Sequence, residues 1–123
     1  MDFQQLPIQQ KPIQRKYHVN ERGHWLIFSL DGRVDAFNFA EVDQCLRGLL
    51  AQAPERLAVH LENADFLSIP FIKLLAALAD ELHKKGLRLP LIAPTEKLKR
   101  QIDIFASLDE MIVYRSLEQL LSQ

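Results

Sequence analysis

Residues Leu57–Leu75 read LAVHLENADFLSIPFIKLL, and their two periodicities set the fold. Leu57, Val59 and Leu61 alternate with Ala58 and His60, which predicts a strand over Leu57–Leu61 with one apolar side. After the loop, Phe71, Leu74, Leu75, Leu78, Ala79 and Leu82 recur at helical spacing, so a helix with one buried stripe follows. A strand running straight into such a helix is the repeating unit of α/β folds. The loop between them, Ala64 to Pro70, faces function by position, because such loops aim backbone N–H groups and the positive helix end at whatever binds there. It holds no Gly-rich cradle, no Lys-Ser pair and no nucleophile beside a base.

Toward the C-terminus the same unit repeats. Lys84-Lys85-Gly86 stops the helix, with cations at its negative end and a glycine for the left-handed position. Leu87 to Ala93 reads as a fourth strand in which Pro90 cannot donate to a ladder, so a bulge or an unpaired edge is expected there. Pro94-Thr95 opens a third helix carrying Leu98, Ile102 and Phe105. Met111 to Tyr114 is a short fifth strand, and Ser116 with Gln119 makes a capping pair for a last helix bearing Leu117, Leu120 and Leu121.

Toward the N-terminus, Phe39, Val42, Leu46, Leu49 and Leu50 mark a helix capped by Asn38 and ended by Pro54. Cys45, beside Leu49 at i+4, reads as a small core residue. Trp25 to Leu30 is a strand closed by Asp31-Gly32-Arg33-Val34-Asp35. Ile13, Arg15, Tyr17 and Val19 alternate with polar residues as a first strand, joined to it through a turn at Asn20–Gly23. Residues 1–12 are Gln- and Pro-rich and read as a flexible arm before a single domain at 13–123. The order is β-β-α-β-α-β-α-β-α, an α/β domain on a mixed, largely parallel sheet, with helices covering one face more fully than the other.

Composition removes several function classes. The 123 residues are 48% hydrophobic and 25% charged, with net charge −1. No basic excess calls for nucleic acid. No segment approaches the ~20 apolar residues of a membrane span, nor does the chain open like a signal peptide. One cysteine excludes an intrachain disulfide. A cytoplasmic, bacterial-style protein is the expectation. His18, His24, His60 and His83 lack ligand spacing, and the glycines at 23, 32, 48 and 86 never cluster, so neither a metal nor a nucleotide cofactor is expected.

Four segments together carry a family resemblance. They are Leu30-Asp31-Gly32-Arg33-Val34-Asp35, the strand and loop from Leu57 to Phe66, the strand from Leu87 to Pro94, and the closing Phe105 to Leu120. Their order and spacing resemble the STAS domain, the fold of bacterial anti-sigma factor antagonists. That resemblance implies a non-enzymatic regulatory module of partner switching, which binds a regulatory protein such as an anti-sigma factor or serine kinase. The family loop reads Phe-Ile-Asp-Ser-Ser-Gly-Leu, and its first serine is the phosphorylated one. Aligned on it, Ser68 takes the aspartate, Ile69 the phosphoserine, Pro70 the second serine and Phe71 the glycine. The loop keeps its length and loses its switch.

The resemblance places a partner-binding surface at Asp35, Ser68, Ile69, Pro70, Phe71, Ile72, Lys73 and Ala76, with Asp35 near the Ser68 loop. Ser68 suits two roles, the N-cap of the helix and a phosphosite shifted by one residue. Helical geometry sets Ile69 opposite the core stripe and Ile72 on its flank. The sheet face bearing Trp25, Ile27 and His60 could support a homodimer. The alternative within the family is an accessory domain of a transport or lipid-trafficking system, or a regulatory domain with a small ligand near Asp35.

Overall fold

Alternating apolar residues oblige a strand to bury one side, and in this protein several strands bury the same one. The computed structural model describes residues 17–123. The expected arm and the first residues of the expected first strand, 13–16, lie outside the described residues. The elements are β1 (Tyr17–Arg22), β2 (Trp25–Val34), α1 (Phe39–Gln52), β3 (Leu57–Leu67), α2 (Ile69–His83), β4 (Leu89–Ile92), α3 (Glu96–Phe105), β5 (Met111–Tyr114) and α4 (Leu117–Leu121). Short 3-10 turns at Pro54–Arg56 and Leu108–Glu110 lead into β3 and β5.

The strands lie in sequence order, β1-β2-β3-β4-β5. β1 and β2 form an antiparallel hairpin, and every later pairing is parallel. Each parallel step needs a crossover, and α1, α2 and α3 supply them on one face. Val42 and Leu46 of α1, Phe71, Leu75 and Leu78 of α2, and Leu98 and Ile102 of α3 join Phe28, Val59 and Leu61 of the strands in the main core. The other face carries a smaller core, in which Ile27, Ala58 and Ile92 lie under Leu120 of α4. Trp25 and Leu117 pack at its rim. Ile27, offered above for a dimer, is thus already covered within the chain. What α4 leaves open beside it, toward β1, is largely polar.

Three local readings change. β1 continues to Arg22 and the hairpin turns at Gly23-His24, where Gly23 takes φ 57°. Pro90 does not mark an edge: β4 lies between β3 and β5. Its ladder with β3 begins only at Leu91, one residue past the proline, so no donor is missed there. Register shifts fall instead in the β2–β3 ladder, where β3 carries one residue more than β2 between the pairs at Ser29 and Asp31 and again between those at Gly32 and Arg33. Phe105, expected on the buried stripe of α3, is 39% exposed because the helix ends with it.

β3 is much longer than its apolar run. It continues through Glu62-Asn63-Ala64-Asp65 to Leu67, paired with Asp31–Val34 of β2. Its pairing with β4 is confined to Val59 and His60. The β2–β3 pair therefore projects as a two-stranded ribbon beyond the rest of the sheet. A ribbon open to water has no need of apolar alternation, which is why the sequence hid it.

The C-terminus of α2 follows its signals. Lys84 N–H donates to the Asp80 carbonyl, and Leu87 N–H returns to the Leu82 carbonyl at 2.9 Å. Gly86 makes this turn at φ 77°. A Cβ there would meet nothing within 4 Å, so only the backbone conformation penalises a side chain. Gly86→Ala is expected to lower stability by about 1–2 kcal/mol, read as a shifted urea midpoint at unchanged slope. An unshifted midpoint would contradict this account of the turn.

Candidate partner-binding surface at the start of α2

Ser68 closes β3 and opens α2. Its backbone is extended, and its Oγ accepts a hydrogen bond from the Phe71 N–H at 3.3 Å. It is the N-cap, with Pro70 just inside the helix, where a missing N–H costs nothing. The Ser68 N–H donates to the Val34 carbonyl at 2.9 Å. That bond ties the helix start to the end of the β2–β3 ribbon.

Asp35 lies one residue beyond Val34. Its Oδ1 accepts from the Phe37 N–H at 3.0 Å, and its Oδ2 lies 3.4 Å from Arg33 Nε. Asn38 occupies the cap position of α1 but makes no cap bond with its side chain. Its Oδ1 instead accepts from the Asp35 N–H at 2.8 Å, and its Nδ2 donates to the Arg33 carbonyl at 2.9 Å. Asn38 therefore stitches the turn that carries Asp35 rather than the helix that follows. Ribbon pairing and this turn bring the Asp35 and Ser68 segments together at one end of the sheet.

The candidate residues divide by burial. Phe71 and Ile72 are 0% and 1% exposed, so their side chains seat α2 and do not reach a partner. Ile72 leaves its expected flank position because the buried stripe of a core helix is broad enough to include it. Ile69 is 48% exposed. Pro70 and Lys73 are exposed, and Ala76 is half-buried.

Two aromatic residues enlarge the surface. Phe66, 36% exposed, lies on the ribbon with the Arg33 guanidinium 4.7 Å above its ring. Phe37, in the Asp35 turn, is 98% exposed. Neither was named from sequence as a contact residue. Phe66 is out of phase because β3 carries extra residues in its ladder with β2, one of them Asp65, and these break the alternation; Phe37 sits in a turn with no period to read.

The backbone agrees with the side chains. The first turn of a helix ordinarily offers unpaired N–H groups to an anion. Of those at Ile69, Pro70 and Phe71, the proline has none and Phe71's is taken by Ser68 Oγ. The tip of α2 is thus poor in donors and rich in hydrocarbon. It suits a dry contact better than a phosphate. Elsewhere, at the start of α3, the Lys99 ammonium 2.7 Å from Glu96 holds that carboxyl below its ordinary range, first by a hydrogen bond and then by charge.

If Ser68 serves as the cap, Ser68→Ala costs about 1 kcal/mol and Ser68→Asp costs little, since aspartate caps as well as serine. Urea unfolding of both variants measures this; equal losses would refute the capping role.

Residues 16–120 match the STAS domain family, and the chain belongs to it. Its fold is that of the anti-sigma factor antagonists. One from Mycobacterium paratuberculosis superposes with a TM-score of 0.74 at 22% identity, over 86% of this chain and 90% of that one. The anti-sigma factor antagonist SpoIIAA in its unphosphorylated form gives 0.67 at 14% identity, over 86% and 94% of the two chains. The murine anion transporter Slc26a9 contains a related fold, with a TM-score of 0.58 and 16% identity over 84% of this chain and 18% of the transporter. Identities this low carry the fold alone. No curated protein matches by sequence. No helix among the described residues is long and apolar enough to cross a membrane.

Proposed function

We propose that this chain is a non-enzymatic interaction module that acts like an anti-sigma factor antagonist. It docks a regulatory protein, such as an anti-sigma factor or a serine kinase of that type, through the tip of α2 and the adjoining ribbon. The observation that carries this reading is Ile69, half exposed at the position where the family keeps its phosphorylated serine. With Phe66, Phe37 and Pro70 also exposed at this end of the sheet, it offers hydrocarbon that a folded monomer has no reason to keep in water. A few such residues are ordinary, but a group of them on one functional loop points to a partner.

Control differs from the serine-based switch. Ile69 accepts no phosphate, so the contact is permanent unless the partner, the abundance of the chain or Ser68 governs it. Ser68 is a poor substitute: its hydroxyl is engaged at the cap, and the neighbouring backbone has few donors left for a phosphate.

Affinity capture from the native host tests the reading, with wild-type and Ile69→Glu chains as bait. An anti-sigma factor or a serine-kinase-like regulator, held by the wild type and lost by the variant, is the expected result. A transporter complex recovered equally by both would overturn it and favour an accessory role in transport.

A further inference from the structure

The part of the sheet left open beside α4 contains a cleft of about 160 Å3. Its floor is a row across three strands: His18 on β1 is paired with Ser29 on β2, and Ser29 with His60 on β3. Side chains so paired stand about 5 Å apart on one face. Ser29 is only 7% exposed, and its Oγ lies 3.4 Å from His60 Nδ1. Each imidazole is backed by a carboxylate. Asp31 Oδ2 is 3.8 Å from His18 Nδ1, and Glu62 Oε1 is 3.3 Å from His60 Nε2. The His60 Nε2 is shut off from solvent and too poorly aligned with Glu62 for a hydrogen bond. Arg22 also lines the cleft and has no ion pair among the described residues.

A sheet face that meets only water gains nothing from a buried hydroxyl against a half-satisfied imidazole, since burying such groups costs free energy. The row is therefore better explained by something that sits on it. Donors dominate the lining. Arg22, the two imidazoles, the Ser29 hydroxyl and the amides of Asn20 and Asn63 face one carboxylate, Asp31, which is already turned to His18. With a proton on His60 Nδ1, that N–H donates to Ser29 Oγ, and the serine proton is free to point into the cleft.

We propose that this cleft binds a small oxyanion-bearing ligand, a phosphate or carboxylate group seated over Ser29. Ser29 and His18 donate hydrogen bonds to it, and Arg22 supplies the compensating charge. The site lies on the face opposite α1, α2 and α3 and does not depend on the docking role of α2.

Amide-resolved NMR titration of the whole chain, with inorganic phosphate and separately with succinate, tests it. Saturable shifts are expected at His18 to Arg22, Ser29 and His60. The probe that binds more tightly identifies the source of the oxyanion. Arg22→Gln and His18→Phe, both on the exposed side of an edge strand, should each weaken binding about tenfold, the scale of a hydrogen bond to a charged group. Ile69→Glu should leave it unchanged. No saturable shift with either probe, shifts confined to Ser68–Phe71, or shifts that survive both β1 substitutions would overturn the proposal.

Discussion

Ile69→Glu is expected to weaken partner binding by about a hundredfold or more while leaving the domain folded. The two effects separate because the position has opposite demands in the free and bound chains. In the free chain, Ile69 is the first residue of α2 and half exposed. A carboxylate there faces the positive helix end, which stabilises it by about 0.3–1 kcal/mol. Under a partner, the same carboxylate loses its water. The lost apolar contact is worth about 0.75–1.5 kcal/mol for half an isoleucine. Burying an unpaired charge adds several kcal/mol more, and every 1.4 kcal/mol is about tenfold in affinity. Calorimetry or surface capture with the purified partner measures the loss; thermal unfolding checks the fold. Equal binding by wild type and variant would remove Ile69 from the interface.

Two residues further on, Phe71→Ala should do the reverse and remove a large part of the stability of the domain. Phe71 is wholly buried in the main core, and it lies in the first turn of α2. Truncating such a side chain costs about 3–5 kcal/mol through lost transfer energy and the cavity left behind. A domain of this kind has about 5–15 kcal/mol in total. Urea denaturation should therefore show a midpoint lowered by a large fraction at unchanged slope. The pair of variants distinguishes contact from support along a single turn of helix. A loss under about 1 kcal/mol would mean that Phe71 is not packed as described.

The strands and helices were legible where one period dominated. The α2 stripe from Phe71 to Leu82 and the Leu57–Leu61 alternation both report burial on a single face, and both are present. Caps at Ser68 and Ser116 were readable because a serine just before a helical run has a local use for its hydroxyl; each accepts from the N–H three residues on, as Thr95 also does. Asn38 misled because its Oδ1, the atom a cap would use, accepts instead from the Asp35 N–H three residues back. Pro90 misled because a proline in a sheet is judged by which neighbour its missing N–H would have faced, and register is invisible in a single chain. The ribbon from Asp31 to Val34 and Asn63 to Leu67 escaped notice because, open to water, it carries no apolar alternation. So did its aromatic residue, Phe66. Of the candidate surface, Ile69 could be placed by helical geometry, whereas burial of Ile72 depended on how α2 sits on the sheet.

The sequential strand order also carries a consequence for where this domain can act. In doubly wound sheets the strand order reverses, neighbouring loops part toward opposite faces, and ligands settle in the crevice between them. Here each new parallel strand is added on the same side of the last, and every crossover returns over the same face. The loops at the carboxyl ends never part. They close ranks into a tip from which the β2–β3 ribbon and the first turn of α2 stand out. In the docking role proposed above, a tip of that shape would insert into a partner's hollow instead of providing one. The recess in such a complex then belongs to the other protein, and the specificity of the pair is to be sought in the walls of that recess as much as in this chain.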